Sequence, residues 1–200
     1  PSSLFEEGKN IDLFNFNFED FDSATEKIFY NKLNHLNAYM LFSLGNNIIE
    51  QWLSVSEYGN FFHRASAFLE VCMLFQNEYL KDDKTHPLIF IDVLDKSVFL
   101  SLFYLGKLAF FNQINFVQLQ DMIFFLVKLT ETLKVDIKKT EIFLSGNINF
   151  PKDKTISEIK KFFLHVYPFE FLNFFTTSPA LKSLPVYKVN SLFNLPFCVS

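Results

Sequence analysis

Between Asn60 and Leu80 the apolar residues recur at helical spacing. Phe61, Ala65, Phe68, Cys72, Phe75 and Tyr79 follow one another at steps of four, three, four, three and four, and Phe62, Leu69, Met73 and Leu80 form a second seam. Together they make a stripe broad enough to face a core and more than one neighbouring helix. Gly59 breaks the chain before it, Asn60 is placed to cap its first turn, and Lys81-Asp82-Asp83-Lys84 ends it in solvent. A helix this apolar needs covering by others. The stripe therefore predicts an all-α fold: one helical-bundle-like domain of about seven to nine helices.

The rest of the chain reads in the same terms. Residues 1–22 form an acidic, aromatic N-terminal arm in which Phe14, Phe16 and Phe18 alternate with Asn15 and Asn17, a period of two that fits an extended segment. Residues 23–200 make the helical domain, with 185–200 an extended tail packed on it. Ser23-Ala-Thr-Glu26 has the form of a capping box and predicts a helix to about Leu44, stopped by Gly45. Ile48 to Tyr58 is a shorter helix anchored by Trp52. Leu88 to Leu94 is short and β-branched enough for a strand, and is assigned as helix because helical patterns flank it. Lys96 to Asn112, apolar nearly all round, is expected to be the most buried helix, with Gly106 allowing a close crossing. Asn115 to Lys134 is amphipathic. Asp136 to Leu144 fits one short helix, 145–154 is a loop, and Thr155-Ile-Ser-Glu158 starts a helix to about Val166. Short helices are expected around Phe171–Phe175 and after Ser178-Pro179.

Composition narrows the chemistry. The chain of 200 residues carries 29 Phe against six Ala, and 17 Lys against the single Arg64. An AT-rich coding sequence produces such a bias, and so does aromatic surface held for a partner. A net charge of −4 with no basic block argues against direct binding of nucleic acid. Cys72 and Cys198 are far apart and Cys72 lies on the apolar stripe, which suits a reducing compartment rather than a disulfide framework. No signal peptide is read at the start, and the most apolar run, Val98 to Phe111, is shorter than a membrane span. An intracellular location, cytoplasmic or nuclear, is expected.

No catalytic constellation emerges. Five glycines form no phosphate-binding loop, and no Gly-x-Ser-x-Gly, His-Glu-x-x-His or Cys-x-x-Cys pattern occurs. His35, His63, His86 and His165 are well separated. Asp92 and Asp95, three apart, share a face if helical, either as an acid/base couple or at the solvent edge. His63 and Arg64 in the first turn of the long helix gain nothing from the helix dipole; they suit an acidic partner or the chain's own acidic N-terminal arm, and the pairing with the arm is preferred. No metal, no cofactor and no enzymatic activity are expected.

Three functional readings follow. The first is a non-enzymatic helical protein–protein interaction module: a scaffold, adaptor or oligomer subunit bridging other proteins. The second is an apolar-ligand, lipid-like binding helical protein, for which a cavity is the discriminator. The third is an enzyme whose residues converge only in three dimensions. An all-α domain of this size with an aromatic-rich helix face is similar to the dimerising helical domains of telomere-protein adaptors, and to many other helical scaffolds equally; no residue is carried over from that resemblance. Partners are expected to be other proteins, including a second copy as a homodimer. Exposed apolar patches mark contacts, and the two chain ends are rich in large apolar groups. Phe14, Phe16, Phe18, Leu192, Phe193 and Phe197 are therefore the candidate partner-binding residues.

Overall fold

The computed structural model describes residues 5, 10–56, 59–81, 83–170, 184–193 and 195. In chain order its elements are α1 (Asn10–Asn17), β1 (Glu26–Leu33), β2 (Ala38–Gly45), α2 (Asn46–Leu53), α3 (Arg64–Tyr79), β3 (Leu88–Val93), β4 (Ser97–Tyr104), β5 (Lys107–Asn115), α4 (Leu119–Thr132), β6 (Glu141–Gly146), α5 (Lys154–Ile159), β7 (His165–Pro168) and α6 (Val186–Phe193). The fold is mixed α/β, which overturns the all-α expectation.

The long helix is present as α3, one turn shorter at its start than expected, and capped by His63 rather than Asn60. What covers it is a sheet. The five-stranded sheet has the order β5-β4-β3-β6-β7, with β3, β4 and β5 antiparallel in succession and β3, β6 and β7 parallel. Side chains alternate across it. Ile89, Ile91, Leu100, Leu102, Ile142 and Leu144 face Met122 and Leu126 of α4 and Ile156 and Ile159 of α5. Leu88, Phe90, Phe99, Phe103 and Phe143 face Phe68 and Cys72 of α3. Branched aliphatics thus fill one layer and aromatics the other, Phe90 stacking on Phe143 at 5.4 Å and meeting Phe103 edge-on at 5.6 Å.

Covering on both faces explains the main misassignments. The residues of β3 and β4 are buried at almost every position, and a continuous apolar run reads equally as a buried helix. The expected helix from Lys96 to Asn112 is a hairpin: Leu105 and Gly106 take φ of 53° and 73° and turn the chain between β4 and β5. Likewise 23–44 is no helix but the ribbon β1–β2, paired antiparallel from Glu26↔Gly45 to Leu33↔Ala38 around a turn with Asn37 at φ 49°. The expected helix at Asp136–Leu144 gives way to β6 from Glu141, and α5 ends at Ile159, short of the expected Val166, which lies in β7. The helix near Ile48 is α2, and the amphipathic one is α4, opened by a capping box of Gln118 and Asp121. At the ends, α1 and α6 stand where extended segments were expected. The helices expected near Phe171–Phe175 and after Pro179 lie outside the described residues.

The ribbon packs on the start of α3 through polar contacts. Asn31 Oδ1 accepts from the His63 amide at 2.8 Å and the Ser66 hydroxyl at 2.9 Å, while its Nδ2 donates to the Phe61 carbonyl at 3.0 Å. Buried Glu70 of α3 accepts from the backbone amide and ring Nδ1 of His35 in the ribbon turn.

Candidate functional site

In an open α/β sheet, ligand crevices form beyond the carboxyl ends of strands where the order of connection reverses. Here that point lies between β3 and β6: the chain leaves β3 toward β4 and β5 on one side, and continues past β6 to β7 on the other. Register places Ile89, Phe90, Ile91 and Asp92 against Ile142, Phe143, Leu144 and Ser145. Two nearly identical apolar strands therefore end in a polar pair.

Asp92 is wholly buried. Its Oδ1 accepts from the Ser145 hydroxyl at 2.9 Å, and its Oδ2 accepts from Arg64 Nε at 3.0 Å and lies 2.8 Å from Arg64 Nη2. Arg64 is the first residue of α3, where the helix dipole disfavours a cation, and the buried carboxylate supplies the compensating charge. Its side chain remains half exposed. Among the described residues the acid that pairs with Arg64 is Asp92, where the N-terminal arm was expected.

Around this pair the backbone is closely packed. Gly146 has φ 89°, and a Cβ there would overlap the Val93 carbonyl and lie 2.7 Å from Asp92 Oδ1. The Asn147 amide donates to the Val93 carbonyl at 2.7 Å, and its side chain donates to Asp95 at 3.2 Å. The turn from β3 to β4, Leu94-Asp95-Lys96, closes with the Leu94 amide on the Ser97 carbonyl at 2.9 Å. Asp92 and Asp95 do not form an acid/base couple: one is buried beneath the strand end and the other is exposed in the turn.

His63 caps α3, its Nδ1 accepting from the Ala65 amide at 3.2 Å, so the neutral ring carries its proton on Nε2. Burial lowers its pKa below the ordinary value. Burial likewise pushes the Cys72 thiol well up, reinforced by the Asp92 charge. Tyr79 is raised to about 12 by burial and by its hydrogen bond to Glu141. Among the described residues no group of three or more His, Cys, Asp or Glu side chains gathers as a metal site, and no helix is long and apolar enough to cross a membrane.

The candidate partner residues separate. Because α1 is a helix, Phe14 and Phe18 fall on one side and stack at 4.5 Å, whereas Phe16 points outward and is 86% exposed. Phe14 is buried and Phe18 half exposed, and both line a groove of about 450 Å³ between β2 and β5. Leu192 and Phe193 belong to α6, and Phe197 lies outside the described residues. Ser145 and Gly146, read in the sequence as the start of a loop, are the last residues of β6. Their signal was the likeness of Ile-Phe-Ile-Asp at 89–92 to Ile-Phe-Leu-Ser at 142–145.

A family model described as "Protein of unknown function (DUF3822)" matches residues 1–166. No curated protein matches the sequence. Among solved structures, a protein from Bacteroides thetaiotaomicron with actin-like ATPase fold and unknown function superposes with a TM-score of 0.71 at 21% identity. The match covers 84% of this chain and 63% of that one, so the chain spans less than two thirds of its length. The AlfA filament bound to AMPPNP matches at a TM-score of 0.33 and 12% identity over 90% of this chain and 86% of that one, a superposition too poor to carry an argument. The likeness to the Bacteroides protein shows an actin-like ATPase fold. With the two sheets, it overturns the reading of the chain as a helical interaction module, and with it the helical lipid binder and the telomere-adaptor resemblance.

Proposed function

We propose that this chain, which belongs to the family described as protein of unknown function (DUF3822), is a non-catalytic form of the actin-like ATPase fold. Its strand-end crevice holds an internal ion pair that works as a structural pin. An ATPase fold implies a nucleotide and a divalent metal at such a crevice, and the residues of this one do not fit them. Magnesium in phosphate sites is held through one or two carboxylates together with the phosphates. The buried carboxylate here, Asp92, is instead engaged by Arg64 and Ser145. Phosphate cradles are built from glycine-rich turns whose amides converge on the anion, whereas the turn after β3 is Leu94-Asp95-Lys96. Gly146 offers no opening, since the Val93 backbone and Asp92 fill the space beside it.

The single observation carrying this reading is the contact of Arg64 Nε and Nη2 with Asp92. Fold alone does not decide activity. The test is phosphate release from Mg-ATP, with an Asp92→Asn variant for comparison. Release at the level of the protein-free control supports the reading, and saturable release lost in Asp92→Asn overturns it.

Partners are proposed to be proteins, a second copy among them. Large apolar side chains stand well exposed at Phe16, Val117, Phe124 and Leu164, and aromatic side chains such as the two phenylalanines are enriched at interface cores. Light scattering for self-association and capture from lysate test this part. The buried free thiol of Cys72 fits an intracellular location.

A further inference from the structure

We propose that the groove between the outer edges of β2 and β5 takes an extended segment of a partner protein, alternating apolar and basic side chains, as an added strand. The inference names a site and a partner chemistry within the reading of proteins as partners, and does not depend on the state of the Asp92 crevice.

Hydrogen-bond parity defines both edges. In an antiparallel pair the residues alternate between bonding across the ladder and pointing their amide and carbonyl away. The Phe116 amide bonds to the Lys96 carbonyl, continuing the β4–β5 register, so Asn112 and Ile114 bond toward β4 while Phe111 and Gln113 point outward. The Asn46 amide bonds to the Thr25 carbonyl, continuing the β1–β2 register, so Phe42 and Leu44 bond toward β1 while Leu41 and Ser43 point outward. Among the described residues β5 is the outer strand of its sheet and β2 pairs only with β1. Among the described residues no backbone hydrogen bond reaches the outward groups of these four residues.

All four line the same groove of about 450 Å³. A strand laid there meets backbone donors and acceptors along both sides, the geometry by which sheet edges take extended peptides. Phe14, Phe42 and Phe99 supply apolar walls for alternate side chains. Asp20 and Glu26 also line it, and among the described residues no Lys or Arg does, so the charge complement is basic. His63 adds a donor: with Nδ1 accepting the Ala65 amide, its Nε2–H is left for a peptide carbonyl. The occupant is a partner rather than a second copy's β5, because that strand, KLAFFNQIN, carries one cation at its far end and no alternation of charge.

The test uses three synthetic hexapeptides: one alternating lysine and valine, one alternating glutamate and valine, and the first with proline at its two central positions. Amide hydrogen exchange is followed on the full chain. With the lysine–valine peptide at about ten times its dissociation constant, exchange at Leu41, Ser43, Phe111 and Gln113 is expected to slow about tenfold, and the other two peptides to leave it unchanged. Gln113→Pro removes an outward amide that β4 does not use and is expected to abolish the effect with the circular dichroism spectrum retained. No slowing at those amides overturns the proposal, as does equal slowing by the glutamate peptide. Concentration-dependent protection of the same amides without peptide also overturns it, since the occupant is then a second copy. Capture of protein partners by the Gln113→Pro variant, without peptide protection in the parent chain, shows that the groove proposal fails while protein partnership stands.

Discussion

Ser145 donates to Asp92 across adjacent parallel strands, at 2.9 Å, on residues 53 apart in the chain. That bond sits where the sheet's connection order reverses, and Arg64 closes it from the start of α3. Three elements thereby share one buried charge, so the pair does for the fold what a ligand does in an open crevice: it fixes the strand ends against the helix.

Arg64→Ala leaves the Asp92 carboxylate buried without its cation. Breaking one partner of a buried pair costs about 3–5 kcal/mol, and the half-exposed guanidinium places this one at the lower end, about 3 kcal/mol, in urea unfolding. Arg64→Lys recovers only part, because an ammonium cannot reproduce the two contacts made by Nε and Nη2. A loss of less than about 0.5 kcal/mol for Arg64→Ala, the range of ordinary surface substitutions, shows that the pair is not a pin.

Gly146→Ala meets both strain and overlap. The left-handed φ of 89° disfavours any side chain, and the added Cβ lies 2.7 Å from Asp92 Oδ1. Destabilisation above about 1 kcal/mol is expected from the backbone conformation alone, read as a lowered melting temperature. An unchanged melting temperature means that the β6 end relaxes freely.

Phe68 and Phe16 separate core from surface. Phe68 is 1% exposed and its ring lies 6.2 Å from that of Phe99, so Phe68→Ala is expected to cost about 3–5 kcal/mol. Phe16→Glu, on the outer side of α1, is expected to change stability by less than about 0.5 kcal/mol. Chemical denaturation of both variants checks the pair, and reversal of their order contradicts the assignment of α1 as a helix.

The stripe at 61–80 was legible because α3 presents its apolar groups at helical period, whatever covers them. What covered it was not legible. β3 and β4 are buried on both faces, so period-two alternation never appears, and the hairpin turn at Leu105–Gly106 passed for a helix crossing. In the ribbon the apparent capping box of Ser23 and Glu26 competed with the better signal, the polar turn Asn34-His35-Leu36-Asn37. The polar site was legible only in its parts: Arg64 stood out as a cation at a helix start but was assigned to the acidic arm, and Asp92 was read with Asp95 on one helix face. Ser145 and Gly146 join it only through parallel pairing, which brings distant residues together with no local pattern.

The cap of α3 titrates. Burial lowers the pKa of His63, so the unfolded chain takes up the proton first as pH falls. The stabilisation is full above the unfolded value of about 6.5 and is lost as pH falls toward and through the lowered folded value. His63→Asn keeps a side-chain acceptor for the Ala65 amide without titrating. Its stability is expected to be flatter as pH falls below about 6.5, measured by urea midpoints. The same slope in both proteins assigns the pH dependence elsewhere.

The most direct measurement of the central claim is phosphate release from Mg-ATP at about 1 mM, the upper end of ordinary Michaelis constants. The expected result is release indistinguishable from the protein-free control, and no saturable binding of a fluorescent ATP analogue. Saturable turnover that disappears in Asp92→Asn, with the variant still folded by circular dichroism, contradicts a closed, non-catalytic crevice.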